Sequence, residues 1–158
     1  MEGTAFDELA FFRAVAHSGV RALLIGRRAL VLLGLPVLTA DYDFWLAVDD
    51  IATFNAACAP FGLNPTRTPE AARQAGRYVL ENDEHVDVLV ARSVPTKDGT
   101  LVEFESLWER RTSVDLGAGV RVHLPAVSDL ILTKQAAARP KDAEDIRLLR
   151  LLAEEHDR

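Results

Sequence analysis

Asp41-Tyr42-Asp43-Phe44, with Gly26 upstream and Asp87 farther along, is the stretch on which the fold turns. On an extended segment side chains alternate, so Asp41 and Asp43 share one face while Tyr42 and Phe44 point into the core. Their Cα atoms then lie roughly 7 Å apart by the strand rise, close enough for both carboxylates to converge on one hard cation. Carboxylates suit Mg²⁺ or Mn²⁺, which are held by a few acids together with substrate phosphates. A lone acid pair of this spacing is also what a solvated surface strand carries, so the sequence around it must decide.

Upstream, Arg21-Ala-Leu-Leu-Ile25 is a short apolar run that reads as a buried strand ending at Gly26, and helical character resumes from Arg27 to Leu33 before Gly34 and Pro36. A helix start offers free N–H groups and a positive dipole end, and a glycine there permits close approach of a ligand, although most strand–glycine–helix turns are structural. Asp41 to Val48 alternates as a strand, after which Asp49-Asp50 is expected to cap a helix running to about Ala59. Arg77–Glu81 and Glu84–Ala91 form a hairpin through Asn82-Asp83. Its second arm carries His85-Val86-Asp87-Val88-Leu89-Val90, where the valines make one apolar face and put Asp87 on the other, with His85 and Leu89. An acid in so apolar a strand needs a partner if buried, such as a metal shared with Asp41 and Asp43; a half-exposed edge strand would need none.

On the N-terminal side, Phe6 to Ala16 has helical spacing. Pro65 to Gly76 is a loop or a short helix, and Leu101 to Arg110 is expected to be helical. Ser113–Leu116 and Val120–Leu124 form a second hairpin around Gly117-Ala118-Gly119, and two helices, Pro125–Ala138 and Asp142–Glu155, flank Pro140. Strands interleaved with helices imply an α/β fold with a mixed β-sheet flanked by helices, because the hairpins exclude a purely parallel one. The expected organisation is a single domain, with a core over about 1–95, a hairpin region over about 96–124 and C-terminal helices over about 125–158.

Composition narrows the function classes. The chain has 158 residues, 49% apolar and 27% charged, the balance of an ordinary globule. No apolar run reaches membrane-spanning length, and Glu2 and Asp7 stand where a leader would be basic, so a cytoplasmic protein without a membrane partner is expected. A net charge of −6 argues against strong nonspecific nucleic-acid binding. The single Cys58 lies in an apolar stretch and reads as a core residue, and no His/Cys set has zinc spacing.

Ile25-Gly26-Arg27, then Asp41-Tyr42-Asp43-Phe44, then Asp87 on a later strand resembles the nucleotidyltransferase superfamily of the DNA polymerase β type. More narrowly, it is similar to small bacterial members that include abortive-infection and toxin–antitoxin enzymes. The run Lys134-Gln-Ala-Ala-Ala-Arg139-Pro-Lys141-Asp142-Ala-Glu-Asp145 is similar to the K-x4-R-x-K-D-x2-D pattern of those members, so the resemblance spans about residues 20 to 150. It implies the nucleotidyltransferase fold, with the three acids on adjacent strands. It also implies a Mg²⁺- or Mn²⁺-dependent enzyme that moves a nucleoside monophosphate from a nucleoside triphosphate to a hydroxyl-bearing acceptor and releases pyrophosphate. Asp41, Asp43 and Asp87 would then be catalytic and hold the metal. Gly26, Arg27, Arg28, Lys134, Arg139, Lys141 and Asp142 would line the nucleotide.

Arg27 stands where the family has glycine or serine, and Val37-Leu38-Thr39 precede the acids where members often carry an arginine. Arg27 could grip phosphate or fill the pocket. The second outcome gives the alternative function, a degenerate fold serving as a binding module or as the protein partner of a toxin–antitoxin pair. A metal-dependent hydrolase or nuclease built on the same acids is a third possibility. In the C-terminal run, Asp142 could equally be a helix cap, with Lys141 on a solvated face. Trp45 reads as core rather than as a base-stacking platform.

Overall fold

A computed structural model describes residues 5–137 and 139–156. Helix α1 (Glu8–His17) is capped by Asp7, whose carboxylate accepts from the Ala10 N–H at 3.0 Å. It is followed by β1 (Ala22–Ile25), α2 (Gly26–Leu32) and β2 (Asp41–Leu46). Next come α3 (Ile51–Cys58), β3 (Asn64–Pro65) and α4 (Pro69–Ala75), then the hairpin of β4 (Arg77–Glu81) and β5 (His85–Leu89). Two small two-stranded sheets follow: β6 (Ser93–Pro95) with β7 (Leu101–Glu103), and β8 (Thr112–Asp115) with β9 (Arg121–Leu124). Helix α5 (Phe104–Glu109) lies between them, and α6 (Val127–Ala137) and α7 (Asp142–His156) complete the order.

The main sheet has the order β1-β2-β5-β4-β3. Strands β2 and β5 are parallel, and every other neighbouring pair is antiparallel, so the sheet is mixed as the sequence predicts. The alternation of β2 divides the protein into two apolar layers. Tyr42, Phe44 and Leu46 are buried on one face with Val86 and Val88 of β5, beneath Phe11, Phe12 and Phe54 of α1 and α3. The rings there meet edge-on or tilted, as between Phe11 and Phe44 with centroids 6.0 Å apart. On the other face Leu23 and Trp45 pack with Phe104 and Leu107. Trp45 is fully buried and its Nε1 donates to the Ala91 carbonyl at 2.8 Å, so it is a core residue. Cys58 is buried in the first layer.

Two expectations need correction. Asp50 stands at the N-cap position of α3, at the end of the 3-10 turn Val48–Asp50, but its side chain makes no capping hydrogen bond: the carboxylate accepts instead from the Arg21 backbone N–H at 2.9 Å. That long-range donor outcompetes the local cap and ties the start of β1 to the turn after β2. The expected helix from Leu101 to Arg110 is a strand followed by a shorter helix. Val102 pairs with Val94 across β6 and β7, and helix begins only at Phe104. Pro65–Gly76 resolves into β3, paired with β4, and α4, whose cap Thr68 accepts from the Ala71 N–H at 3.2 Å. Among the described residues, no helix is long and apolar enough to cross a membrane.

Candidate active site

The parallel pairing of β2 with β5 sets Asp41 opposite His85 and Asp43 opposite Asp87. Paired residues point to the same face, so Asp41, Asp43 and Asp87 project together. Asp41 is exposed at the head of β2, and Asp43 and Asp87 are part-buried. Burial pushes the Asp43 carboxyl up to about 6, with Asp87 and then Asp41 adding like-charge repulsion; Lys134 and Arg139 partly offset the rise. Asp87 Oδ2 lies 3.1 Å from His85 Nε2, a contact that the shared strand face made legible but that the sequence left as incidental.

Gly26 is held against the Asp43 side chain. Its φ of +69° is in the left-handed region, and a Cβ built there would overlap the Asp43 carboxylate, lying 2.9 Å from its Cγ. The missing side chain makes room for the Asp43 carboxylate. Gly26→Ala is therefore expected to push Asp43 off its rotamer and to destabilise the protein by about 2 kcal/mol or more, since the left-handed backbone alone costs roughly 1–2 kcal/mol. The urea midpoint checks this, and a change below about 0.5 kcal/mol would contradict the crowding argument.

Lys134 and Arg139 lie near enough to Asp43 to act on its charge but, like Arg27, are already bonded within the protein. Lys134, on α6, is buried, with Nζ 2.8 Å from Asp145 Oδ2 and 3.3 Å from Asp142 Oδ1. Arg27 Nε lies 3.1 Å from the same Asp145 oxygen, and its Nη1 donates to the Leu38 carbonyl at 3.4 Å. Arg139 bonds Asp142 Oδ2 through Nε at 3.2 Å, with half of its side chain exposed. Burial alone would raise the Asp145 carboxyl, but hydrogen bonds from Lys134 and Arg27 outweigh it and hold the group below the usual carboxylate range. Asp142 is likewise held down, against its burial, by Arg139 and Lys134. Asp145 Oδ1 is buried without a partner among the described residues.

Arg28 supports the acids from behind. Its Nε donates to the Asp41 carbonyl and its Nη2 to the Thr39 carbonyl, both at 3.3 Å, and the guanidinium stacks 4.1 Å from the Tyr42 ring centre. Glu8 pairs with Arg28 at 3.3 Å and accepts from the Tyr42 hydroxyl. Lys141 is exposed. Sequence reasoning quoted Asp145 within a motif but did not single it out, and Glu8 and Thr39 carried no signal of their own.

The acids fit a hard divalent cation by donor type and by the charge crowding at Asp43. Among the described residues, no set of three acid, histidine or cysteine side chains is already gathered as a metal cage. That is compatible with Mg²⁺, which keeps several waters and relies on substrate phosphates.

No protein-family model matches the sequence, and no curated protein matches it. Solved structures do. A candidate nucleotidyltransferase from Thermotoga maritima superposes with a TM-score of 0.59 at 16% identity, over 91% of this chain and 89% of that one. The antibiotic-resistance factor ANT(2'')-Ia, whose solution structure reveals substrate-regulated conformational dynamics, superposes with a TM-score of 0.63 at 16% identity, over 89% of this chain and 78% of that one. At this identity the likeness concerns the fold, and the chain has a nucleotidyltransferase-like fold.

Proposed function

We propose that this protein is a Mg²⁺- or Mn²⁺-dependent nucleotidyltransferase that moves a nucleoside monophosphate from a nucleoside triphosphate to a hydroxyl acceptor. The observation that carries the reading is the in-register pair Asp43 and Asp87, with Asp41 on the same face and Asp43 raised to about 6. Such crowding of carboxylates is unfavourable without a cation to share. Asp41, Asp43 and Asp87 would hold the metal, which when bound supplies charge neutralisation of the triphosphate and activation of the acceptor hydroxyl.

The chain's own groups account for the rest. The acceptor oxygen forms a bond to the α-phosphorus as the bond to the pyrophosphate oxygen breaks. Asp87, open to solvent on one side, takes the hydroxyl proton. Arg139, half exposed beside the acids, is the cation best able to leave Asp142 for a phosphate. Arg27 and Lys134 act from behind: held by Asp145, they fix α2 and α6 against α7 and add positive potential.

Acceptors that suit the chemistry are a protein side chain, a tRNA end or a small hydroxylated antibiotic. The likeness to an antibiotic-resistance factor makes the last the first to test. The alternative, a degenerate member acting as a binding module or toxin–antitoxin partner, is favoured by one observation: Lys134 and Arg27 are already neutralised by buried carboxylates.

Calorimetric titration of each nucleoside triphosphate, with and without Mg²⁺, separates the two. Metal-dependent binding followed by pyrophosphate release and a labelled acceptor supports transfer. Binding that yields only free nucleotide supports hydrolysis, and no binding by folded protein favours the binding module.

A further inference from the structure

Strands β2 and β5 are the sheet's parallel pair, and their carboxyl ends diverge, one into the 3-10 turn at Val48 and the other into the β6–β7 hairpin. Crevices at such switch points are where open α/β sheets take ligands. A cavity of about 360 Å³ opens here, floored by Ala47, Val48, Val90 and Ala91 and walled by Phe104, a size suited to a small molecule. It lies at the opposite end of β2 from Asp41, beyond the buried Trp45, and so is separate from the acids.

The charges around this cavity are unevenly satisfied. Arg21 is neutralised by Glu105, at 3.0 Å, and Asp49 is 3.8 Å from Arg73. Among the described residues, by contrast, the side chains of Arg92, Ser93 and Glu103 make no ion pair or hydrogen bond, although all three line the cavity. Ser93 and Glu103 are directly paired across β6 and β7, so their side chains leave the hairpin on the same face. Arg92 precedes Ser93, and its carbonyl is fixed by the Phe104 N–H at 3.0 Å. A planar cationic fork, a hydroxyl and a carboxylate thus line one cleft, whose surface is part polar and part apolar, without pairing with one another.

We propose that this cleft binds a free α-amino acid with an apolar side chain. Arg92 and Ser93 receive its carboxylate, Glu103 receives its ammonium, and the side chain lies against Val48, the partly exposed apolar residue of the lining. Guanidinium recognition of a carboxylate is bidentate and directional, and the opposite charge across the cleft selects a zwitterion over a simple acid or amine. The site is independent of the nucleotidyltransferase reading, so either can fail without the other.

Amide NMR titration of isotope-labelled protein with free leucine, methionine and phenylalanine tests it, alongside their N-acetyl and amide derivatives. Wild type is compared with Arg92→Gln and Glu103→Gln, both exposed positions where folding is little affected. The expected result is saturable shifts at Ala47, Ala91 and Phe104 with at least one free amino acid, weakened about tenfold by either substitution, the step that one lost ion contact gives. The N-acetyl form should bind weakly and be indifferent to Glu103→Gln, and the amide form indifferent to Arg92→Gln. Absence of saturable shifts overturns the proposal, as does binding that neither substitution changes.

Discussion

Lys134→Ala is expected to destabilise the protein by about 3–5 kcal/mol, the range for removing one partner of a buried ion pair. The loss is large because Lys134 Nζ serves two carboxylates, Asp142 and Asp145, both almost wholly buried. Without it Asp145 keeps only Arg27, on the oxygen already shared, while its Oδ1 remains without a partner. The urea midpoint and slope measure the effect. Combining Lys134→Met with Asp142→Asn and Asp145→Leu should recover part of it, because an apolar replacement leaves no buried charge uncompensated. A loss below about 1 kcal/mol for the single substitution would place the network in the class of solvent-screened pairs and sink the argument.

Asp43→Asn is expected to act in the opposite sense on stability while removing metal-dependent nucleotide binding. The Asp43 carboxyl rises from 3.8 to about 6 on folding, so the native state binds its proton more tightly than the unfolded chain does. Stability from this group is therefore greatest at low pH, falls as pH rises through the window between those values, and is fully lost above about 6. At pH 7.5 the metal-free wild type carries this cost, on the order of 1–3 kcal/mol for a shift of about two units, and Asp43→Asn should regain much of it. The gain should vanish as the pH is lowered toward the unfolded value. Melting curves with and without Mg²⁺ across this range provide the check. Added Mg²⁺ should stabilise wild type but not the variant. A variant less stable than wild type at neutral pH would show that the crowding at Asp43 is not costly.

Much of the fold could be read from local signals. The hairpin of β4 and β5 is announced by Asn82-Asp83 between two alternating runs, and the acid face of β2 by the period of its side chains. The parallel register of Asp43 with Asp87 lies beyond local pattern, because the strands are joined through α3, β3, α4 and β4; there the family resemblance supplied the adjacency. Misreadings occurred where a distant partner overrode a local preference. Arg21 draws the Asp50 carboxylate away from its helix, and Val94 draws Val102 into a strand inside an otherwise helical run. In the candidate site, the residues of the Lys134–Asp145 run were legible as a set, but not their bonding. Whether a lysine faces a phosphate or an aspartate depends on how α6 and α7 fold back on each other, which spacing along the chain does not encode.

The bond between Arg27 and Asp145 joins residues 118 positions apart. During synthesis the acids on β2 and β5 emerge well before the carboxylates of α7 that immobilise Lys134 and Arg27. A ribosome-bound chain can thus assemble its sheet and crowd its acids while the surrounding cations are still unanchored. The network of cations and carboxylates around the acids is therefore complete only after α7 has been synthesised.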